Sequence, residues 1–224
     1  MLEKFRLAIA EVPTSREVHR SVYIDSLGGD VRAAMEIGRI VRRREMGVNV
    51  IPETSCASAC VLVFAAGVDR DIYESPGKAV TFAMLYPAKT RPSLPSGAIG
   101  IHRVYIGETP QQPVTLAEVR QRTDQTVAAL RSYLQEMNVS VRVADDMMAV
   151  PPQNIRWLTA SEQEDYGLIA IDPVWQETQD LNEARKLGIS PVEYMKRKEN
   201  ASRICYGVSG APAGCYDRVL RTGR

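Results

Sequence analysis

The chain has 224 residues, a formal net charge of +1, and 45% hydrophobic and 25% charged residues. This is an ordinary globular composition, long enough to bury a substantial core. It gives no global electrostatic case for binding nucleic acid or an anionic membrane, and the longest apolar run, Val61 to Val68, is far too short to span a bilayer.

In chain order, residues 1–19 read as an amphipathic helix followed by a turn at Pro13, with Glu3 and Glu11 breaking any secretory-leader pattern. The run Ser21 to Asp25 (SVYID) is a short strand. A Gly28–Gly29 turn follows, and Asp30 caps a helix whose apolar face is Val31, Ala34, Met35, Ile37, Gly38 and Val41. Arg42, Arg43 and Arg44 suit its C-terminal dipole, and Gly47 is expected to stop it. VNVI is a second strand, and SACVLVFAAG is a buried helix ended by Gly67. DRDIY, KAVTFAML and AIGIHRVYI are strand candidates, with the proline-rich YPAKTRPSLPSG between the last two as a loop or lid. Two amphipathic helices follow, the longer over residues 115–137. Thr159 and Glu162 form a capping box for a short helix that ends at Gly167. LIAI is the last strand. The tail from Asp172 holds two polar helices and a loop between Cys205 and Cys215.

Strands alternating with helices imply βαβ units and a mostly parallel sheet. Right-handed crossovers place the ends of the first strands, DSLGGD and ETSCAS, at one edge of that sheet, where ligands bind in such folds. The Gly/Pro-rich loop closed by Cys205 and Cys215 reads as a disulfide and favours an oxidising compartment. Cys56 and Cys60 lack zinc-ligand spacing, and no His cluster completes a metal site. They read either as small buried residues or as a second, strained disulfide.

Ser58, between those cysteines with alanine on both sides, has two readings. One is an N-cap for the buried helix. The other is a nucleophile lying over free helix N–H groups, which needs a base. Of the two histidines, His19 lies in a polar segment and reads as a surface residue. His102 lies on a strand candidate, and period-two alternation puts Gly100 on its face, leaving space beside the ring. Gly28 and Gly29 read either as a tight turn or as an exposed amide aimed at an oxyanion. They match neither a P-loop nor a dinucleotide fingerprint.

The ordered set DSLGGDV, CASAC, GIHR and LTASEQEDYGL over residues 20–172 resembles the Clp peptidase family, the Clp protease proteolytic subunit and its relatives including signal peptide peptidase A. The exported Clp-like branch of bacteria is the nearest in pattern. That resemblance implies an α/β, crotonase-like (ClpP-like) spiral of βαβ units, here with a C-terminal helical extension over 173–224. It implies a Ser58 nucleophile, a His102 base and an oxyanion hole from the amides of Gly29 and Ala59. An extended peptide or protein substrate would pair alongside Gly28 and Gly29. A homo-oligomer is implied, with no cofactor. Three departures stand out. Leu27 replaces the family's proline. Ser58 and His102 are 44 residues apart, an unusually long spacing. The family's aspartate position falls on Ile155, leaving the adjacent Asn154 as the acceptor for a His102 N–H, with Asp145 and Asp146 as more distant carboxylates. Lys78 is a further base candidate for a Ser-Lys mechanism. The expectation is a serine peptidase-like hydrolase, exported or periplasmic with its leader outside this sequence. The alternatives are a cytoplasmic location, a catalytically degenerate peptide-binding scaffold and an acyl-thioester enzyme.

Overall fold

The computed structural model describes residues 2–12, 20–51, 54–72, 98–104, 115–206, 212 and 214–224. They form a mixed α/β arrangement with two compact units, Met1–Asp172 and Pro173–Arg224.

In the first unit, α1 (Leu2–Ala10) buries Phe5 and Ile9. Strand β1 (Ser21–Tyr23) leads to α2 (Val31–Arg43), where the Asp30 side chain accepts from the Ala33 amide at 2.6 Å. The apolar face read from the sequence is the face that packs: Ala34, Met35, Ile37, Gly38 and Val41 are buried. The helix stops differently from expectation. Its cap is Arg44, and the left-handed turn that ends it falls on Glu45 (φ +50°), so Gly47 is free to open β2 (Gly47–Val50).

Strand β3 (Ser55–Ala57) precedes α3 (Cys60–Ala65), and β4 (Asp69–Ile72) follows it. Beyond the undescribed stretch come β5 (Ala98–Ile101), α4 (Leu116–Glu136), α5 (Arg142–Ala149), β6 (Arg156–Trp157), α6 (Ala160–Asp165) and β7 (Ala170–Ile171). The strand expected at KAVTFAML, the proline-rich loop and Lys78 lie outside the described residues, as does His19.

The strands form two sheets. One has the order β1-β2-β4-β7, parallel except for the β4–β7 pair. The other has the order β3-β5-β6, with β3 and β5 parallel and β6 antiparallel to β5. The segment after β1 links them. Ile24 N donates to Asn49 O of the first sheet, and Ser26 N donates to Ser55 O of the second.

The core gathers β2, α3, β5 and the last turns of α4. Tyr133 shows how tightly it closes. Its ring passes beside Gly38 of α2, where any β-carbon would collide with it. Its hydroxyl donates to Leu62 O at 2.7 Å. Burial in this apolar setting pushes the phenol well above its usual pKa. Leu130 and Leu134 flank it with no exposure, each worth about 1.5–3 kcal/mol of burial. The earlier turns of α4 have no such buried face, and Leu116 and Val119 stand exposed.

The second unit contains α7 (Pro173–Lys186), α8 (Pro191–Cys205) and α9 (Cys215–Thr222). Cys205 and Cys215 form a disulfide inside a small cluster with Ala201 and Val219. So small a core gains substantially from a cross-link, typically about 2–4 kcal/mol. Arg197 ties α8 to the end of α9 by donating to the carbonyls of Leu220 and Arg221 at 3.3 and 2.8 Å. The sequence reading expects two helices in this tail. The third, α9, forms because the disulfide and Arg197 hold an otherwise polar octapeptide.

Candidate active site

Three chain segments leave their strands in one direction at the carboxyl edge of the second sheet. Ser26 bridges Cys56 in parallel, and Cys56 and Ala57 pair with Ile99 and Gly100 in parallel. Two residues past the bridge is Gly28. One residue past β3 is Ser58, and one past β5 is His102. Parallel pairing therefore sets these three positions at the same edge.

Ser58 is not the helix cap. The cap position is Ala59, with no side-chain hydrogen bond, and α3 begins at Cys60. Ser58 instead has φ +59°, a left-handed conformation rare for a side chain of its kind. Such a residue costs about 1–2 kcal/mol relative to the right-handed region. Neighbouring backbone bonds hold it there. Its amide donates to Gly100 O at 2.9 Å, and its carbonyl accepts from Val61 N at 3.0 Å. A sharp turn between a strand and a helix lifts the side chain out of the sheet edge. Ser58 is 8% exposed and His102 9% exposed, so both are nearly closed off from bulk water.

Gly28 lies directly against the serine. A β-carbon there would sit 2.5 Å from Ser58 Cβ and 2.9 Å from Ser58 Oγ, and its φ of +103° also favours glycine. Gly29 follows in a further left-handed-side conformation, φ +147°. The turn is tied by Ser26, whose hydroxyl accepts from Gly28 N at 3.2 Å. The sequence reading passes over Ser26, although a serine two residues before a glycine is a known turn signal. Among the described residues, the amides of Gly29 and Ala59 donate to no acceptor.

His102 Nδ1 lies 3.0 Å from the carbonyl oxygen of Arg103. A carbonyl only accepts, so this bond requires the proton on Nδ1, and in the neutral imidazole Nε2 is then the unprotonated nitrogen. On the Nδ1 side the acceptor is thus a neutral backbone oxygen, where the sequence reading places the Asn154 amide. Asn154 is exposed, and its own backbone amide donates to Pro151 O at 3.0 Å. Continuing the β5–β6 register from Ile101↔Arg156 sets Ile155, not Asn154, opposite His102. Asp145 and Asp146 are engaged elsewhere. The first pairs with Arg131, and the second accepts from the Tyr166 hydroxyl and pairs with Arg156 at 3.5 Å.

Gly100 does not leave room beside the imidazole. A β-carbon on it would lie 2.6 Å from Ile155 Cγ2 and 2.8 Å from the Trp157 ring, so the place of its missing side chain is filled by Ile155 and Trp157. His102 itself lies past the end of β5, where strand alternation no longer governs which way it points.

Cys56 and Cys60 form a disulfide whose Cα atoms are 5.3 Å apart, and it brackets Ser58. Beside the Gly28–Gly29 turn lies a mostly apolar pocket of about 90 Å³, with Phe5, Val22, Ile24, Ile37, Ile51 and Val63 in its walls. Gly28, Gly29, Ala59 and Cys60 also line it. Among the described residues no cluster of His, Cys, Asp and Glu has the composition of a metal site.

No family model matches the chain, and no curated protein matches it. Among solved structures, a membrane-bound stomatin-specific protease is similar at a TM-score of 0.45 and 19% identity. The match covers 80% of this chain and 77% of that one.

Proposed function

We propose that the chain is a serine-type hydrolase of peptide bonds with Ser58 as nucleophile. The observation that carries this reading is the left-handed turn at Ser58, pressed against Gly28 and set at the sheet edge from which His102 also emerges. A serine that merely caps a helix needs no such backbone conformation and no glycine packed on its hydroxyl.

In the proposed reaction, His102 Nε2 accepts the Ser58 hydroxyl proton as Oγ attacks the scissile carbonyl carbon. The oxygen of that carbonyl becomes an anion, held by the amides of Gly29 and Ala59. Collapse of the tetrahedral species breaks the C–N bond, and His102 returns the proton to the leaving amine. Water then repeats the sequence on the acyl-serine. The Arg103 carbonyl plays the orienting part by keeping the proton on Nδ1.

The substrate is an extended peptide lying beside Gly28 and Gly29. Its acyl-side residue would enter the adjoining apolar pocket. At about 90 Å³ that pocket is smaller than the roughly 150 Å³ cavity that admits benzene, and suits a small aliphatic side chain. The two disulfides favour an exported, periplasmic setting. The exposed early turns of α4, with Leu116 and Val119, support self-association.

A second reading, a peptide-binding scaffold that has lost activity, is favoured by the near-complete burial of Ser58 and His102. A fluorophosphonate probe separates the two. The hydrolase becomes labelled on Ser58, and Ser58→Ala abolishes labelling. An unlabelled protein, beside a control peptidase that reacts, overturns the hydrolase reading.

A further inference from the structure

The nucleophile turn is closed by a covalent bond that the proposed reaction does not use. Cys56 is the middle residue of β3, Cys60 is the first residue of α3, and the strained Ser58 lies midway between them. The three-residue span Ala57–Ser58–Ala59 carries both the hydroxyl and one of the two amides assigned to the oxyanion. Its other restraints are backbone hydrogen bonds and the packing of Gly28. The Ala57 and Ser58 amides donate to Ser26 O and Gly100 O, and the Ser58 and Ala59 carbonyls accept from the amides of Val61 and Leu62. Helix α3 is six residues long and has no side-chain cap. Two alanines offer no side chain large enough to wedge the turn. The disulfide adds a covalent restraint to a conformation that a serine does not favour on its own.

The two cysteines also differ in their surroundings. Cys56 has no exposure, whereas Cys60 lines the apolar pocket beside Gly28, Gly29 and Ala59. The other disulfide, Cys205–Cys215, belongs to the second unit and to a different cluster.

We infer that Cys56–Cys60 is a redox modification site that sets whether the Ser58 turn is competent: closed when oxidised, relaxed when reduced by a small dithiol. This rests on the hydrolase reading for its effect on activity, though not for its effect on the turn. The chemistry is thiol–disulfide exchange. A thiolate of the dithiol attacks Cys60 Sγ, forming a mixed disulfide, and Cys56 leaves as a thiolate that takes up a proton. The second thiol of the reductant, once deprotonated, attacks its own partner sulfur and expels Cys60, which is protonated in turn. The dithiol ends as a cyclic disulfide, and the protein has gained two electrons and two protons as two thiols. In that state backbone bonds alone oppose the strain at residue 58, and its φ leaves the left-handed region more often, carrying Oγ and the Ala59 amide out of register.

The test uses the full chain, and a Cys205→Ser/Cys215→Ser variant to isolate the first bridge. Dithiothreitol is added in steps, and separate aliquots are alkylated and mapped by mass spectrometry. Others are exposed to the fluorophosphonate probe or to hydrogen exchange. Reduction at Cys56 and Cys60 is expected to slow Ser58 labelling by roughly tenfold. It should also quicken exchange of the amides from Ala57 to Leu62, and both effects should reverse on reoxidation with oxidised glutathione. If the variant does not fold, site-resolved mapping of the native chain gives the same comparison. The inference is overturned if Cys56 and Cys60 resist alkylation while the protein remains folded. It is equally overturned if they are alkylated with exchange and labelling unchanged. Should the oxidised protein not be labelled at all, the hydrolase reading fails, and exchange at residues 57–62 alone decides the switch.

Discussion

At the scale of single residues, Ser58 holds an energetically unfavourable conformation at the point where chemistry is proposed. Left-handed backbone is tolerated by glycine without a β-carbon penalty, so the strain at this position is removable. Ser58→Gly is expected to raise stability by about 1 kcal/mol, after allowance for the added freedom of the unfolded chain. It should lose fluorophosphonate labelling altogether, whereas Ser58→Ala loses labelling without the gain. Urea midpoints of the two variants check this, and a Ser58→Gly protein no more stable than Ser58→Ala would remove the strain argument. Ser58 as a candidate was legible in the sequence from its setting between small residues. Its φ was not, because the turn is imposed by the Gly100 carbonyl and by a helix that starts two residues later. The partner of His102 Nδ1 was also hidden. A backbone oxygen carries no residue identity, so no search for carboxylates or amides along the sequence would find the Arg103 carbonyl.

Among the elements, those with their own local signals match the sequence reading best. The Asp30 cap and the α2 face follow from helical periodicity, and the Thr159–Glu162 capping box is present with both of its bonds. Strands β3 and β6, three and two residues long, were not legible. Such lengths are too short for alternation to register, and their extended shape comes from the strands beside them. The capping box also carries a pH signature. Bonds from the Thr159 amide, then the Arg156 side chain and the Thr159 hydroxyl, hold the Glu162 carboxyl down at about 2. Because the folded value lies below the unfolded one, near 4.3, this stabilisation is fully present above the unfolded value. It is lost as pH falls toward 2. Glu162→Gln keeps the cap and removes the titration. Its stability should therefore fall less steeply than the native protein's between about pH 4.5 and pH 2. Acid titrations followed by circular dichroism measure the two slopes, and equal slopes would show that Glu162 does not contribute.

Over the whole molecule, the first unit closes on a buried charge cluster. Asp172, 1% exposed, pairs with Arg42 at 2.8 Å and accepts from Asn138 Nδ2 at 3.0 Å. Arg70, 2% exposed, lies 4.0 Å from the same carboxylate and donates to the carbonyls of Gly67 and Gly167 at 2.6 and 2.9 Å. Burial, then the neighbouring Arg42, pushes the Arg70 guanidinium down to about 10, so it remains charged at neutral pH. Helix α2, strand β4 and the end of β7 are thus joined by one anion. Asp172→Asn keeps the shape and removes the buried carboxylate that Arg42 and Arg70 share, at a cost of about 3 kcal/mol. The urea midpoint reads that loss. A change below about 1 kcal/mol would place the cluster among exposed pairs of little consequence.

The sequence by itself determined the helices with caps and apolar stripes, the α/β class, and a short set of candidates around Gly28, Ser58 and His102. These are properties that neighbours three or four residues apart, or the order of elements along the chain, can encode. Tertiary structure alone decided that Gly28 is pressed against Ser58, that Trp157 and Ile155 fill the space at Gly100, and that Arg103 rather than Asn154 meets the imidazole Nδ1. Those contacts depend on which strands pair and in what register. Register is settled only when the whole core packs, because a shift of one residue turns every side chain to the opposite face.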